Sequence, residues 1–307
     1  MADPAKAGRY PPDGRALEPP TPATVDLHTH TTRSDGLLPP AELVRQGHEA
    51  GIRLLAITDH DSLAGVRDVG GALPAGLELI AGVEINAVGG AGLDGTGGEV
   101  HVLGLGVDPD DDAFEATLVA QRTARRARFE QMVERLAAAG LDLRAELEAM
   151  PPTVDEDSLG RPRIARAMIA RGVATSIDDA FERWLSPGRP AYVARAGLGP
   201  LEAIAAIRAA GGLAALAHYW DAPQQIAVLA ELRAAGLRGL EVHHRSFDES
   251  TVAAMASVAE ALSLVPTGGT DYHGDAGPYA ESHAGLWVPD AIGDSVRTAI
   301  ETARSGR

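Results

Sequence analysis

Residues 25–36 read VDLHTHTTRSDG, and their alternation decides how the chain is built. Asp26, His28 and His30 occupy alternate positions, and Asp35 follows five residues after His30. A strand alternates its side chains, so His28 and His30 point the same way, with Asp26 behind them. Two imidazoles on one face at a strand end, with a carboxylate just beyond, are the donors a metal needs. A single such pair equally fits one core histidine followed by one loop histidine. The rest of the chain has to discriminate.

It supplies the same arrangement repeatedly. LLAITDHDS (54–62) is an apolar run ending in Asp59 and His60, and LELIAGVEIN (77–86) carries Glu84 directly after apolar residues. GEVHVLGLGVD (98–108) sets His101 among Val and Leu, GGLAALAHYW (211–220) ends in His218, and VPTGGTDYHGD (265–275) gives Asp271 and His273. Each alone has a bland reading as a satisfied buried histidine or a turn-capping aspartate. A carboxylate on a buried strand is costly unless paired or metal-bound, and α/β folds place chemistry at strand ends. One convergent metal site accounts for all of them with one cause. His48, on the first helix, and His283, in a late loop, read as ordinary surface residues. Glu241 and His243 in LEVHHRSFD share a face and are expected to line the site or support its ligands.

Composition sets the outer bounds. The 307 residues are 45% hydrophobic, enough for one large α/β domain or two ordinary ones. No cysteine is present, so any metal is held by His, Asp and Glu, a donor set that suits catalytic sites. A net charge of −16 argues against a face that tracks long nucleic acid. No run of 18 apolar residues appears, and residues 1–23, rich in Pro, Ala and Gly, read as a disordered leader without a signal-peptide core. A cytoplasmic protein without membrane partners is expected.

Short apolar runs alternate with Ala/Leu/Arg helical patterns, the βαβ signature of a parallel sheet or barrel. Strands are expected near 24–28, 52–58, 77–85, 99–107, 213–217, 238–243, 264–269 and 285–288. Pro39 and Pro40 open the first helix, and Gly51 closes it. The texture is different over 109–189, where a long amphipathic helix at 113–139 precedes helical segments at 161–170 and 177–184. This reads as a helical insert, a lid over an α/β barrel formed by 24–108 and 190–307. The barrel pattern resumes with AYVAR at 191.

HTHTTRSDG, AITDHD, GVEI, the strand His101, Ala217-His218 and TDYH together resemble the PHP (polymerase and histidinol phosphatase) family of metal-dependent phosphoesterases. LGRPRIARA (159–167) fits the GRP-containing insert of one subgroup, which includes nucleotide phosphatases and a 5′–3′ exoribonuclease. The resemblance implies a distorted seven-stranded (β/α) barrel holding two to three divalent ions, with Mn²⁺ favoured and Zn²⁺ or Fe²⁺ chemically reasonable. The ligands it implies are His28, His30, Asp35, His60, Glu84, His101, His218, Asp271 and His273. Glu84 would bridge, His28, His30 and Asp271 would hold one ion, His101 and His218 a second, and Asp35, His60 and His273 the third. His60, Asp59 and His273 are the candidate catalytic groups, with Asp59 and Asp26 expected to orient ligands.

One motif departs. Many of these phosphatases read AHPxR after the fifth strand, where this chain has AHYWDA (217–222), with Asp221 in the place of the phosphate-binding Arg. Candidate replacements are Arg245, Arg161 and Arg163, and the face Arg122, Arg125, Arg126 and Arg128, which reads more readily as a solvated helix with Glu partners. Tyr219 and Trp220 fit either a stacking platform for a base or core packing at a loop root. The expected activity is attack of a metal-bridging hydroxide on the phosphorus of a small ester, a nucleoside monophosphate or 3′,5′-bisphosphate. The alternatives are a phosphodiesterase acting on a cyclic phosphate or short RNA, an amidohydrolase-type enzyme, and a non-catalytic PHP domain.

Overall fold

The computed structural model describes residues 23–70, 73–89, 99–150, 159–274 and 277–306. Seven strands follow one another around a single sheet in chain order: β1 (Val25–Asp26), β2 (Leu54–Ile57), β3 (Glu78–Val88), β4 (Glu99–Leu105), β5 (Leu213–Leu216), β6 (Gly239–His244) and β7 (Val265–Gly269). β7 returns to the first strand, where Leu27 N–H donates to the Gly268 carbonyl at 3.0 Å and Thr29 bridges Tyr272. The result is the distorted (β/α) barrel. Burial on both faces explains the unbroken apolar runs: every residue of Leu54–Ile57 and of Leu213–Leu216 is buried.

Two expectations fail at the sheet. β4 runs antiparallel to both of its neighbours. Ten residues separate β3 from β4, fewer than a helical crossover between parallel strands needs, which leaves the antiparallel pairing. An eighth strand over 285–288 is absent: Leu286 and Val288 are buried in a loop, because the sheet has already closed on β1 and offers no edge there. AYVAR at 191 is likewise a loop.

The helices cover the barrel wall. α1 (Pro40–Glu49) starts with Pro39 at its N-cap and ends before Gly51, whose φ of +105° suits a residue without Cβ. α2 (Ala64–Asp68) follows β2. Between β4 and β5 the chain forms α3 (Asp112–Ala138), α4 (Arg144–Ala149), α5 (Arg161–Ala170), α6 (Ile177–Ala180) and α7 (Pro200–Ala209), with a π turn at Phe181–Leu185. α8 (Ile226–Ala235), α9 (Glu249–Ala261), α10 (Tyr279–Ala284) and α11 (Ala291–Ser305) complete the order. Asp111 caps α3 by accepting from the Ala113 and Phe114 N–H groups, both at 3.0 Å. The first half of α3 packs Phe114 and Leu118 into the barrel core, and its second half packs Met132 and Leu136 with α5 and the π turn in a separate apolar cluster. That second cluster extends to Ala191 and Val193, past the expected end of the insert at 189. The expected leader lies outside the described residues except Ala23, which is buried against the barrel.

Candidate metal centre

The sheet delivers one polar cluster to the C-terminal ends of its parallel strands. His28 and His30 extend β1, His60 follows β2 and bridges to Glu84 of β3, and His101 lies on β4. His218 follows β5, and Asp271 and His273 follow β7. Three of the four described non-glycine residues with positive φ lie here: Asp61 at 52°, His218 at 27° and Asp271 at 49°. Such backbone is costly and persists where its surroundings enforce it.

Glu84 is the centre. Its carboxylate, fully buried, approaches His60 Nδ1 and His101 Nδ1 at 2.8 Å, His30 Nε2 and His218 Nε2 at 3.3 Å, and His28 Nε2 at 3.4 Å. Asp271 lies 3.2 Å from His30 Nε2 and 3.4 Å from His28 Nε2, and Asp35 lies 3.2 Å from His273 Nε2 and 3.6 Å from His60 Nε2. All nine residues implied by the resemblance are brought together. Donor atoms fall into four groups, each within 4.8 Å: His30, Asp35, His60 and His273; His28, His30 and Asp271; His28, Glu84 and His218; His60, Glu84 and His101. His101 and His218, expected on one ion, therefore fall into different groups that share Glu84.

The donor set fits divalent cations. His28 Nε2, His30 Nε2, His60 Nδ1 and Glu84 Oε2 are buried without a hydrogen-bond partner among the described residues, which is expensive unless something else satisfies them. Burial alone would raise the Glu84 carboxyl, but the imidazoles of His101, His60 and His28 hold it well below its usual range. The same balance, with His28 and His273 prevailing over burial, keeps Asp271 ionised.

A surrounding set of residues fixes the ligands. Glu241 takes a hydrogen bond from His28 Nδ1 at 3.1 Å and from the His218 N–H at 2.7 Å, leaving His28 Nε2 to face the carboxylates. Asp59 accepts from Thr31 N–H, Thr31 Oγ1 and Ser34 Oγ, all at 2.7 Å, so it braces the 30–35 turn. Gly65 permits this, because a Cβ there would land on the Asp59 carboxylate. Asp26 is bound by Tyr279 Oη and Thr270 Oγ1 at 2.7 Å. Two expectations need correcting. A β-bulge between Glu241 and His243 shifts the alternation, so His244 faces Asp271 at 3.6 Å while His243 packs on Trp287. His283 is buried, with Nε2 2.7 Å from the Ala23 carbonyl oxygen, and its ring stacks on Tyr279.

Beside the cluster lies a cavity of about 270 Å³ whose walls include Asp35, His60 and His101 of the cluster together with Arg125, Arg128, Arg161 and Arg195. The α3 arginines do not form a solvated face: Arg125 and Arg128 are buried, with Arg125 donating to Asp61 at 2.7 Å and Arg128 to Glu99 at 2.5 Å. Arg195 reaches Asp61 at 3.0 Å, and Arg161 reaches Glu99 at 3.3 Å. Burial would raise the Glu99 carboxyl, but Arg195, Arg161 and Arg128 hold it at about 2. Burial, with Arg125 beside it, lowers Arg195 to about 10. Arg125 Nε, Arg195 Nε and Arg128 Nη2 are buried without protein partners among the described residues. Arg195, Asp61 and Glu99 went unrecognised in the sequence, although Asp61 directly follows His60. Arg245 does not line this cavity; it lies beside the cluster, donating to the Asp271 carbonyl at 3.1 Å and to Ser282 Oγ at 2.8 Å.

Residues 26–165 match the PHP domain. The chain is 31% identical to a 3′,5′-nucleoside bisphosphate phosphatase from Chromobacterium violaceum over 82% of its own length and 87% of that protein's. This chain belongs to the PHP family. It is also 30% identical to a 5′-3′ exoribonuclease from Haemophilus influenzae, over 81% of this chain and 89% of that one. A phosphoribosyl 1,2-cyclic phosphate 1,2-diphosphodiesterase from Eggerthella lenta is 30% identical over 86% and 98%. A solved structure from Bifidobacterium adolescentis, described as a metal-dependent phosphoesterase, superposes with a TM-score of 0.74 at 30% identity, covering 91% of this chain and 97% of that one.

Within this PHP site, the departing segment at 217–222 divides its two aromatics. Tyr219 is buried in the barrel core. Trp220 is 53% exposed and lines a second cavity of about 90 Å³, together with His101, His218 and Asp221.

Proposed function

We propose that this PHP-family metal-dependent phosphoesterase removes one phosphate from a small nucleotide that carries a second one, such as a nucleoside 3′,5′-bisphosphate. The arginine-lined cavity beside the nine-residue cluster carries this reading. Four guanidiniums there share two carboxylates, leaving an excess of two positive charges and three buried N–H groups without partners. A phosphate dianion in the cavity matches that charge, with guanidiniums in the wall to receive it.

The histidines and carboxylates of the cluster would hold divalent ions, and such ions when bound would supply an activated water and stabilise charge developing on the reacting phosphate. Imidazole and carboxylate donors without sulfur suit Mn²⁺, Fe²⁺ or Zn²⁺, and Mn²⁺ is the ion proposed for activity. The chain's own contribution is positioning. Glu241 and Asp59 hold His28 and the 30–35 turn in place, and the arginines orient the substrate through its distal phosphate. The four arginines, brought by α3, α5 and the segment after the π turn, give the helical insert its proposed role as a lid that reads the substrate beyond the reacting phosphate. No described helix is long and apolar enough to cross a membrane. A cytoplasmic location belongs to the same proposal.

A diesterase is the second reading. It is favoured by Asp221, which stands where a phosphate-binding Arg is expected and repels a terminal phosphate. The test is release of phosphate by Mn²⁺-loaded protein from a 3′,5′-bisphosphate, AMP, a cyclic phosphate and a short 5′-phosphorylated RNA. The bisphosphate is expected to be preferred, with Arg125→Met removing that preference over AMP. Cleavage confined to the cyclic ester or the RNA would establish the diesterase instead.

A further inference from the structure

Asp221 stands where an Arg is expected after the fifth strand, with Trp220 directly before it, and their surroundings give the change a chemical sense. The 90 Å³ cavity they line shares Glu99 and His101 in its wall with the arginine cavity. A substrate whose reacting phosphate sits at the histidine cluster can therefore extend in two directions. One direction is cationic. In the other, Glu99 is already paired with Arg128 and Arg161, Asp221 is exposed, and no described Arg or Lys lines the cavity to meet a second phosphate. It offers an acceptor and a flat ring instead. Trp220 is 53% exposed although it directly follows buried Tyr219, so the indole is not spent on the core. Its backbone N–H donates to the His218 carbonyl at 3.2 Å, which ties the indole's base to a residue of the metal cluster.

We infer that Trp220 is a stacking platform for the nucleobase of the substrate, with Asp221 accepting a hydrogen bond from the nucleoside's hydroxyl or amino groups. This rests on the phosphoesterase reading above and sharpens it: the substrate is a nucleotide and not a phosphosugar. Stacking a base on an aromatic side chain is worth about 1–3 kcal/mol by alanine substitution, which converts to about 5- to 150-fold in affinity.

The experiment compares a nucleoside 3′,5′-bisphosphate with the same bisphosphate whose base is replaced by hydrogen, using the full chain loaded with Mn²⁺. Trp220→Ala is expected to raise KM for the nucleotide about 5- to 150-fold. Its KM for the baseless ester should stay within about twofold, because nothing stacks there. Trp220→Phe is expected to recover most of the loss, and the melting temperatures should agree, since the side chain is half exposed. Equal shifts on both esters, or none on either, would overturn the platform while leaving the phosphoesterase intact. Wild-type protein that hydrolyses neither ester would overturn the platform together with the bisphosphate reading it rests on.

Discussion

Glu84 has five imidazoles within 3.4 Å and no water-exposed face, so its charge is indispensable to the cluster. Glu84→Gln keeps the shape and removes that charge. Activity is expected to fall by about 10³-fold or more, with metal content by elemental analysis falling alongside, whereas Glu241→Gln, which orients His28 and takes the His218 N–H, should cost about 10- to 100-fold in metal affinity. Full metal content in Glu84→Gln would sink its central role. Much of the cluster was legible because a titratable group in or after a buried apolar run must be paired or bound to a metal, and the full set of nine came with the resemblance to the PHP family. Arg125 and Arg128 were candidates as well, but read more readily as a solvated face, and their burial was not legible. A charged residue on a long helix has the same signature whether it meets water or a cavity, and its partners Asp61 and Glu99 lie 64 and 29 residues away. His244 was hidden by a bulge that no alternation pattern announces, and His283 by a contact with a segment 260 residues earlier.

At the scale of elements, α3 joins the two apolar clusters. Its 27 residues start in the barrel core and end among the insert helices, and Arg125 lies between. Asp61 anchors that junction. Its carboxylate accepts from Arg125, from Arg195 and from the Asn86 N–H at 3.1 Å, so one buried group ties the β2 turn to α3, to the returning segment and to β3. Asp61→Asn would leave two buried guanidiniums short of their counter-charge, and breaking a buried pair typically costs about 3–5 kcal/mol. Thermal unfolding should shift down accordingly, and KM for a bisphosphate should rise while KM for AMP moves less. An unchanged melting temperature would refute the anchor. Element type was readable from periodicity, as α1 and α5 illustrate, but the sense of β4 was not. Strand direction depends on the length and path of a connection, and alternation carries no information about it.

For the whole molecule, closure of the sheet and assembly of the cluster are one event. β1 meets β7 through Leu27 and Gly268, and that seam places His28 and His30 beside Asp271 and His273. Residues from both ends of the chain meet only in the folded barrel, so metal binding stabilises the native state and has little to hold in the unfolded one. At a concentration about 100 times its dissociation constant, one bound ion adds about 2.7 kcal/mol. For a chain of this size that corresponds to roughly 4 °C in melting temperature. Chelation should lower the midpoint of the wild-type protein by about that amount. Adding Mn²⁺ back should restore it, and the Glu84→Gln protein should respond weakly to either. Scanning calorimetry with and without chelator measures this directly. Identical midpoints would mean that the barrel closes without help from the ions, and that its buried carboxylates are carried by the surrounding imidazoles alone.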